Sequence, residues 1–304
     1  MSLETDLILD RRRITRRLNF WRVLAVGAGV IALAAIVVPK TGGGLGRHVA
    51  RVNVTGVITE DRKLIESVAA LAKDRSVPAV IVSIDSPGGS VAGGESLRGA
   101  LLRVAAMKPV VAVMRGTAAS AGYMVALPAA RIFAREATLT GSIGVILQTG
   151  EVSGLLGRLG VVAEAITSGP LKDQPSFTRE LTAQGRDYLH TLVGDMYDQF
   201  VGMVAEARHM DAEQVRGLAD GRAYTGRQAQ KLGLVDEIGG EIEAREWLAR
   251  ERSVPVSVPT DDLKPGGLYD RTVGATLSGL FRSALSGVVP SAGVWAIWQG
   301  SSAE

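Results

Sequence analysis

Residues 79–90 read Ala-Val-Ile-Val-Ser-Ile-Asp-Ser-Pro-Gly-Gly-Ser, a β-branched run followed by a turn with two adjacent glycines. Residues 110–123 have a similar arrangement, because the run Val-Val-Ala-Val-Met leads through Arg115 into the small-residue sequence Gly-Thr-Ala-Ala-Ser-Ala-Gly-Tyr. Short runs rich in Val and Ile predict buried strands. Longer segments with helical periodicity lie between such runs, and this alternation predicts a layered α/β domain rather than an all-helical one.

The same pattern continues on both sides of these two runs. We predict strands over 50–58, 79–84, 110–114, 131–134, 144–147 and 162–166. Helices are predicted over 61–74, 92–106 and about 179–208. The last helix carries apolar residues at every third and fourth position, a stripe that is typical of core packing.

The composition excludes several kinds of functional site. The chain has 304 residues and no cysteine, so it has no disulfide, no thiolate metal ligand and no cysteine nucleophile. Its three histidines, His48, His190 and His209, show no metal-ligand spacing, and we expect each to be structural. We therefore predict no metal and no cofactor. Any nucleophile must be an oxygen or nitrogen atom.

Positive charge is concentrated at the N-terminus. The formal net charge is +3, and residues 1–22, with six arginines against three carboxylates, account for all of it. We therefore expect no nucleic-acid partner. An uncharged apolar run of 16 residues follows over 23–38. A membrane span needs about 20 residues, and Phe20, Trp21 and Arg22 at the interface can supply the missing turn.

We predict a single-pass anchor over 23–39 in the lipid bilayer. The positive-inside rule places the basic segment 1–22 in the cytoplasm and the Gly-rich linker 40–49 on the outer face. A cleaved signal peptide is the main alternative, because Ala32-Leu33-Ala34 offers small residues and residues 15–17 loosely resemble a twin-arginine signal. A buried soluble helix is the third alternative.

Three small-residue motifs follow predicted strands and form the candidate site. They are Asp-Ser-Pro-Gly-Gly-Ser over 85–90, Gly-Thr-Ala-Ala-Ser-Ala-Gly-Tyr over 116–123 and Thr-Gly-Ser-Ile-Gly-Val over 140–145. Adjacent glycines allow a close backbone approach, and a serine at a strand-to-helix transition is accessible, as in a nucleophile elbow. Each motif alone is more often a plain turn or a site of helix packing.

Together and in this order, the three motifs resemble the signal peptide peptidase A family, serine peptidases of the Clp protease and crotonase fold. Residues 168–173 are similar to the segment that carries the family's catalytic lysine, and residues 219–229 and 233–236 are similar to its helix-capping region. The resemblance covers about residues 51–248. One anchor ahead of one catalytic domain is similar to the short form of the family. Ala121 departs from the pattern, because many relatives have a second glycine there.

The resemblance implies a Ser/Lys dyad. Ser120 would be the nucleophile and Lys172 the general base, with Ser142 hydrogen-bonded to the lysine amine. The oxyanion-hole candidates are Gly88, Gly89 and Ala121. A lysine can accept the serine proton only when it is neutral, yet the composition around Lys172 is typical of an exposed loop. Asp173 would favour the protonated amine if it faced it, so we expect its carboxylate to point away.

The implied function is that of a membrane-bound endopeptidase that cleaves hydrophobic peptides such as remnant signal peptides. Family members form rings or domes whose substrate grooves cross subunit boundaries, so the resemblance also implies a homo-oligomer. The peptidase domain would span 50–262 and lie on the periplasmic or other extracytoplasmic side of a bacterial inner membrane. A crotonase-type acyl-CoA enzyme and a catalytically inactive membrane scaffold of the same fold are the alternatives.

The last 42 residues, 263–304, change in composition to Gly, Ser and Ala. Apolar residues at helical spacing are followed by two tryptophans. This tail fits a core helix, a subunit contact or a membrane-surface segment, and the pattern does not distinguish among them.

Overall fold

A computed structural model describes residues 20–22, 24–28 and 46–265. The first two stretches are helical. Within the described residues, no helix is both long enough and apolar enough to cross a bilayer. The predicted anchor, apart from 24–28, and the tail from residue 266 onward lie outside the described residues. Residues 46–265 belong to one compact unit.

Residues 46–265 contain eight strands and eight helices. The strands are β1 (Val49–Ile58), β2 (Val80–Gly89), β3 (Val110–Ala119), β4 (Arg131–Ala134), β5 (Leu139–Gly141), β6 (Ala223–Thr225), β7 (Glu237–Ile238) and β8 (Thr260–Asp262). The helices are α1 (Arg62–Leu71), α2 (Val91–Ala105), α3 (Ala121–Ala126), α4 (Ser153–Arg158), α5 (Ala183–Arg208), α6 (Ala212–Leu218), α7 (Gly226–Lys231) and α8 (Glu241–Arg252).

The strands form one sheet in the order β6-β5-β3-β2-β1-β8, and β4 pairs with both β3 and β7. Neighbouring strands are parallel, apart from the antiparallel pair of β5 and β6. On one side of β3, residues 111–114 pair with β4 and residues 117–119 pair with β5. The carboxyl ends of β1, β2, β3 and β5 therefore lie side by side, which is where open parallel sheets carry their sites.

The sheet is buried between two layers of helices. One face packs against α1, α2, α3 and α5, where Leu101, Tyr123 and Phe200 are fully buried. The opposite face packs against α8 through Phe133 and Trp247. Because both faces are covered, β2 and β3 begin as continuous apolar runs, as strands of parallel sheets usually do. The predicted layered α/β class is confirmed.

The three predicted helices are confirmed as α1, α2 and α5. Each begins after a residue whose side chain accepts a hydrogen bond from a first-turn N–H group, namely Asp61, Ser90 and Thr182. The third helix begins at Ala183, four residues later than predicted, because the Thr182 cap fixes its start.

The strand predictions are partly wrong. The strands predicted over 50–58 and 131–134 correspond to β1 and β4, and those over 79–84 and 110–114 are the first halves of β2 and β3. The strands predicted over 144–147 and 162–166 are wrong, because these residues lie outside any strand. Their apolar side chains are not core residues: Ile146, Val162 and Ile166 are 83%, 91% and 96% exposed.

Candidate active site

Ser120 lies at the junction of β3 and α3 with φ 55° and ψ −122°. A residue with a side chain seldom adopts such a conformation, and backbone strain of this kind clusters at functional sites. The Ser120 N–H donates to the Gly141 carbonyl at 2.8 Å, which ties the residue to the end of β5. Its side chain does not cap α3. This strand–turn–helix geometry is that of a nucleophile elbow, and within residues 46–265 the Ser120 hydroxyl has no hydrogen-bond partner.

Gly88 lies directly against Ser120 at the end of β2. Its φ is +113°, and a Cβ atom there would be 2.9 Å from the Ser120 Cβ. The Gly88 N–H donates to the Ser86 hydroxyl at 3.1 Å. A Cβ on Gly89 would be 1.9 Å from the Ile58 carbonyl oxygen. Both positions therefore require glycine, and the Gly88 N–H already has a partner.

Ser142 follows β5 with φ 47°. Because the end of β5 pairs with the end of β3, Ser142 is carried next to Ser120. Its N–H donates to the Arg222 carbonyl at 2.9 Å. The preceding Gly141 packs against the Tyr224 ring, because a Cβ at position 141 would be 2.6 Å from Tyr224 Cδ2. Tyr224, in the second half of the chain, therefore helps to position the segment that carries Ser142.

Lys172 lies in a turn, where its N–H donates to the Gly169 carbonyl at 3.2 Å. Its side chain is exposed. Within residues 46–265 that side chain has neither a hydrogen bond nor an ion pair, so nothing in the described subunit connects it to Ser120. The Asp173 carboxylate accepts a hydrogen bond from the Arg179 guanidinium in an ion pair. The structure thus brings together Ser120, the glycines and Ser142, whereas no hydrogen bond or ion pair within residues 46–265 joins the Lys172 side chain to them.

Asp85 is the first residue of the motif over 85–90, and the motif analysis gave its carboxylate no role. Its Oδ1 accepts a hydrogen bond from the Thr117 N–H at 3.1 Å, which links the end of β2 to the segment leading to Ser120. The signal available in the sequence was a carboxylate directly before Ser-Pro-Gly-Gly.

The similarity of residues 219–229 and 233–236 to a helix-capping region has a structural explanation. Thr225 and Gln228 form a reciprocal capping box at the start of α7. The Tyr123 hydroxyl donates to the Leu234 carbonyl at 2.9 Å, and burial raises the pKa of that hydroxyl far above its usual value. Tyr123 therefore remains a donor and fixes α3 behind Ser120.

Asp236 connects three parts of the fold. It forms a two-pronged ion pair with Arg208 at the end of α5, with N–O distances of 2.6 and 3.1 Å. It also accepts a hydrogen bond from the Ile132 N–H of β4 at 2.7 Å. The Gly-Leu-Val-Asp motif is thus part of the scaffold that supports the site.

The histidines play no part in this arrangement. His190 and His209 are exposed on or beside α5, and His48 lies at the other end of the sheet. Among the described residues, no group of three or more His, Asp or Glu side chains is placed to hold a metal ion.

Comparison with known proteins adds the family. The model of "Peptidase family S49" matches residues 103–255, which include Ser120, Ser142 and Lys172. The chain belongs to peptidase family S49. A Synechocystis sp. protein named as a candidate protease is 41% identical over 204 residues, which are 67% of this chain and 74% of that protein. The "Serine protease SPPA, chloroplastic" of Arabidopsis thaliana is 29% identical over 73% of this chain and 33% of its own length.

A solved structure, a ClpP1 mutant from Listeria monocytogenes, overlaps with 62% of this S49 chain and 91% of that chain at 18% identity and a TM-score of 0.42.

Gly88→Ala is expected to destabilise this S49 domain and abolish most of its peptidase activity. The new Cβ would press on Ser120, and the positive φ would be strained by roughly 1–3 kcal/mol. Thermal unfolding and kcat/KM measure the two effects. Gly99→Ala is the matched control, because a Cβ there meets only the Arg103 Nη1 at 3.9 Å within a helix. Equal activities of the two variants would contradict the close packing of Gly88 on the nucleophile.

Proposed function

We propose that this protein is a membrane-anchored serine endopeptidase with a Ser120/Lys172 dyad, which cleaves hydrophobic peptides such as remnant signal peptides. The observation that carries the proposal is Ser120 at the β3–α3 junction, in a chain that belongs to a peptidase family. Its backbone is strained, and its hydroxyl does not cap α3. Ser120 Oγ attacks the peptide carbonyl, and Lys172 accepts its proton. The same amine then protonates the leaving amine, and water hydrolyses the acyl-enzyme.

The oxyanion needs backbone donors that have no other partner. Ala121 is the first residue of α3, and first-turn N–H groups lack partners inside a helix. The Gly88 N–H donates to Ser86, so that bond must open before Gly88 can serve. Ala121 is therefore the first donor we assign, and Gly89 or a released Gly88 the second.

Ser142 supports the lysine in this mechanism. It is next to Ser120 through the pairing of β5 with β3, so an amine that reaches Ser120 also comes within reach of the Ser142 hydroxyl. A hydrogen bond from the hydroxyl to a neutral amine would hold Lys172 in position to accept the proton.

Lys172 can act as a base only when something covers its exposed side chain. We propose that a second subunit supplies this cover in a homo-oligomer, together with the substrate. Residues 146–177, the segment that contains Lys172, support a contact between subunits. This segment exposes many large apolar side chains, as interfaces do before assembly. They are Ile146, Leu147, Leu155, Leu159, Val161, Val162, Ile166 and Phe177.

The membrane attachment in the proposal rests on sequence. Residues 23–39 are the anchor, residues 1–22 lie in the cytoplasm, and the catalytic unit lies on the extracytoplasmic side of a bacterial inner membrane. This location would place the catalytic unit beside the membrane that holds remnant signal peptides.

Val30→Arg is expected to reduce the amount of protein in the membrane fraction. Val30 is near the centre of the predicted span, and an arginine there adds about 2.5–3.5 kcal/mol to the free energy of insertion. Quantitative blotting of membrane and soluble fractions measures the change, with Val30→Leu as the control. A reporter fused after Lys40 should be extracytoplasmic in the unmodified protein, and a cytoplasmic reporter would contradict the orientation.

Digestion of synthetic signal peptides by the full chain in detergent tests the proposed activity. Cleavage sites are identified by mass spectrometry, and we expect internal cuts within the apolar segment. A charged peptide of equal length is the matched substrate control. Loss of residues only from the peptide ends would contradict endopeptidase action.

A further inference from the structure

A cavity of about 850 Å³ opens at the end of the sheet where the parallel strands begin. Its walls come from the C-terminal ends of α1 and α2 and from the loop that precedes β2. Val77 in that loop is buried, whereas Met107, which also lines the cavity, is 70% exposed. The cavity therefore combines an apolar lining with access to solvent, at the opposite end of the strands from Ser120.

Positive charge dominates the cavity. The charged residues that line it are Lys73, Arg75, Arg103, Lys108 and Asp74. Lys108 Nζ is engaged, because it donates to the Asp74 and Val77 carbonyls at 2.6 and 2.9 Å. The Asp74 carboxylate accepts hydrogen bonds from the Ser76 hydroxyl and N–H, which lower the pKa of the carboxyl below its usual value.

Three cations remain available at this cavity. Within residues 46–265, the side chains of Lys73, Arg75 and Arg103 have no hydrogen bond or ion pair. Cations near a helix C-terminus favour the helix dipole, which accounts for Lys73 and Arg103. The dipole does not account for Arg75 in the loop, nor for an exposed methionine among the cations. A ligand with an anionic group and an apolar part would match both features.

The location of the cavity relative to the N-terminal linker indicates the source of this ligand. The His48 N–H donates to the Ser76 carbonyl at 3.0 Å, so the chain enters the catalytic unit beside the loop that lines the cavity. The proposed anchor ends at residue 39, and ten linker residues reach at most about 35 Å. The end of the unit that carries the cavity is thus within reach of the bilayer.

We propose that this cavity is a docking surface for anionic phospholipid head groups of the membrane. Lys73, Arg75 and Arg103 bind the lipid phosphates, and Met107 contacts the region below the head groups. The placement near the bilayer rests on the anchor in the proposed function, whereas the charge and the apolar lining do not. Docking would hold the catalytic unit with the carboxyl ends of its parallel strands directed away from the membrane.

A single introduced cysteine tests this proposal, because the chain has none of its own. Met107→Cys in the full chain is labelled with an environment-sensitive fluorophore and reconstituted into vesicles of phosphatidylcholine alone or with 30% phosphatidylglycerol. We expect a blue shift only with phosphatidylglycerol, and its loss at 1 M salt, where the Debye length falls to about 3 Å.

Charge reversal identifies the residues. Arg75→Glu/Arg103→Glu should abolish the shift, since each basic side chain near an anionic surface contributes about fivefold to binding. Lys231→Glu/Arg186→Glu makes the same change in net charge at exposed positions outside the cavity and should keep the shift. A shift that is absent with phosphatidylglycerol, or that survives the first pair of substitutions, would overturn the proposal.

Vesicle flotation distinguishes a failure of the lipid-docking proposal from a failure of the proposed membrane anchor. The anchor predicts that the chain floats with phosphatidylcholine vesicles, whatever the probe reports. If it does not, the anchor is wrong, and the cavity is then judged by flotation with phosphatidylglycerol. That flotation must disappear in Arg75→Glu/Arg103→Glu for the docking surface to stand, and equal flotation of the variant would overturn it.

Discussion

Ser120→Ala should lower kcat/KM for peptide cleavage by on the order of 10³-fold or more, because only substrate binding and oxyanion stabilisation would remain. The substitution removes one oxygen atom that the structure does not use to cap α3. The fold should therefore be retained, and thermal unfolding provides that control.

Ser96→Ala is the matched substitution for this prediction. Ser96 lies within α2, and loss of its hydroxyl leaves the candidate site unchanged. We expect wild-type turnover from it. If Ser120→Ala kept comparable turnover, the assignment of the nucleophile would be wrong, however well the rest of the site fits.

Lys172→Ala should lower turnover by about 10²–10⁴-fold, the usual contribution of a general base. Measurement of kcat/KM for peptide cleavage checks this, with His190→Ala as the control that should keep wild-type turnover. Lost activity in His190→Ala together with retained activity in Lys172→Ala would assign the base to histidine instead.

A mixture of the two inactive variants tests where the base comes from. If Lys172 of one subunit serves Ser120 of another, Ser120→Ala and Lys172→Ala subunits that have exchanged should regain part of the activity. Some sites in the mixed oligomer would then contain both functional groups. No recovery after demonstrated exchange would contradict a dyad shared between subunits and would leave a rearranged loop within one subunit as the way to cover Lys172.

The strands that position the site were predictable only in their first halves. Local pattern ends β2 at Ile84, because Pro87 and the two glycines after it are ordinary turn residues. In the structure Gly88 and Gly89 still belong to β2, since they pair with Val57 and Ile58 of β1. Pairing between distant segments overrides the local preference for a turn, and a single sequence does not show that pairing.

The wrong strands have a different cause. Residues 162–166 have the β-branched composition of a buried strand, yet Val162 and Ile166 are almost fully exposed. Apolar composition alone does not tell a core strand from a surface that awaits a partner. The three-residue strand β5, which carries Gly141 to Ser120, was missed because a segment so short is specified by its neighbours rather than by its own pattern.

The site itself was predictable where the motifs lie on the sheet. Ser120, Gly88 and Ser142 come together because each lies at or directly after the carboxyl end of a strand, and adjacent parallel strands end at one edge. Lys172 lies outside the sheet, in a turn whose position depends on what packs against it. Its role therefore remains a proposal on the strength of the family resemblance.

Labelling with a fluorophosphonate probe, followed by peptide mapping, tests the central claim most directly. On a preparation that cleaves peptide, we predict one adduct on Ser120, absent in Ser120→Ala and strongly slowed in Lys172→Ala. An adduct on another residue that persists in Ser120→Ala, or no adduct on the active preparation, would contradict Ser120 as the activated nucleophile.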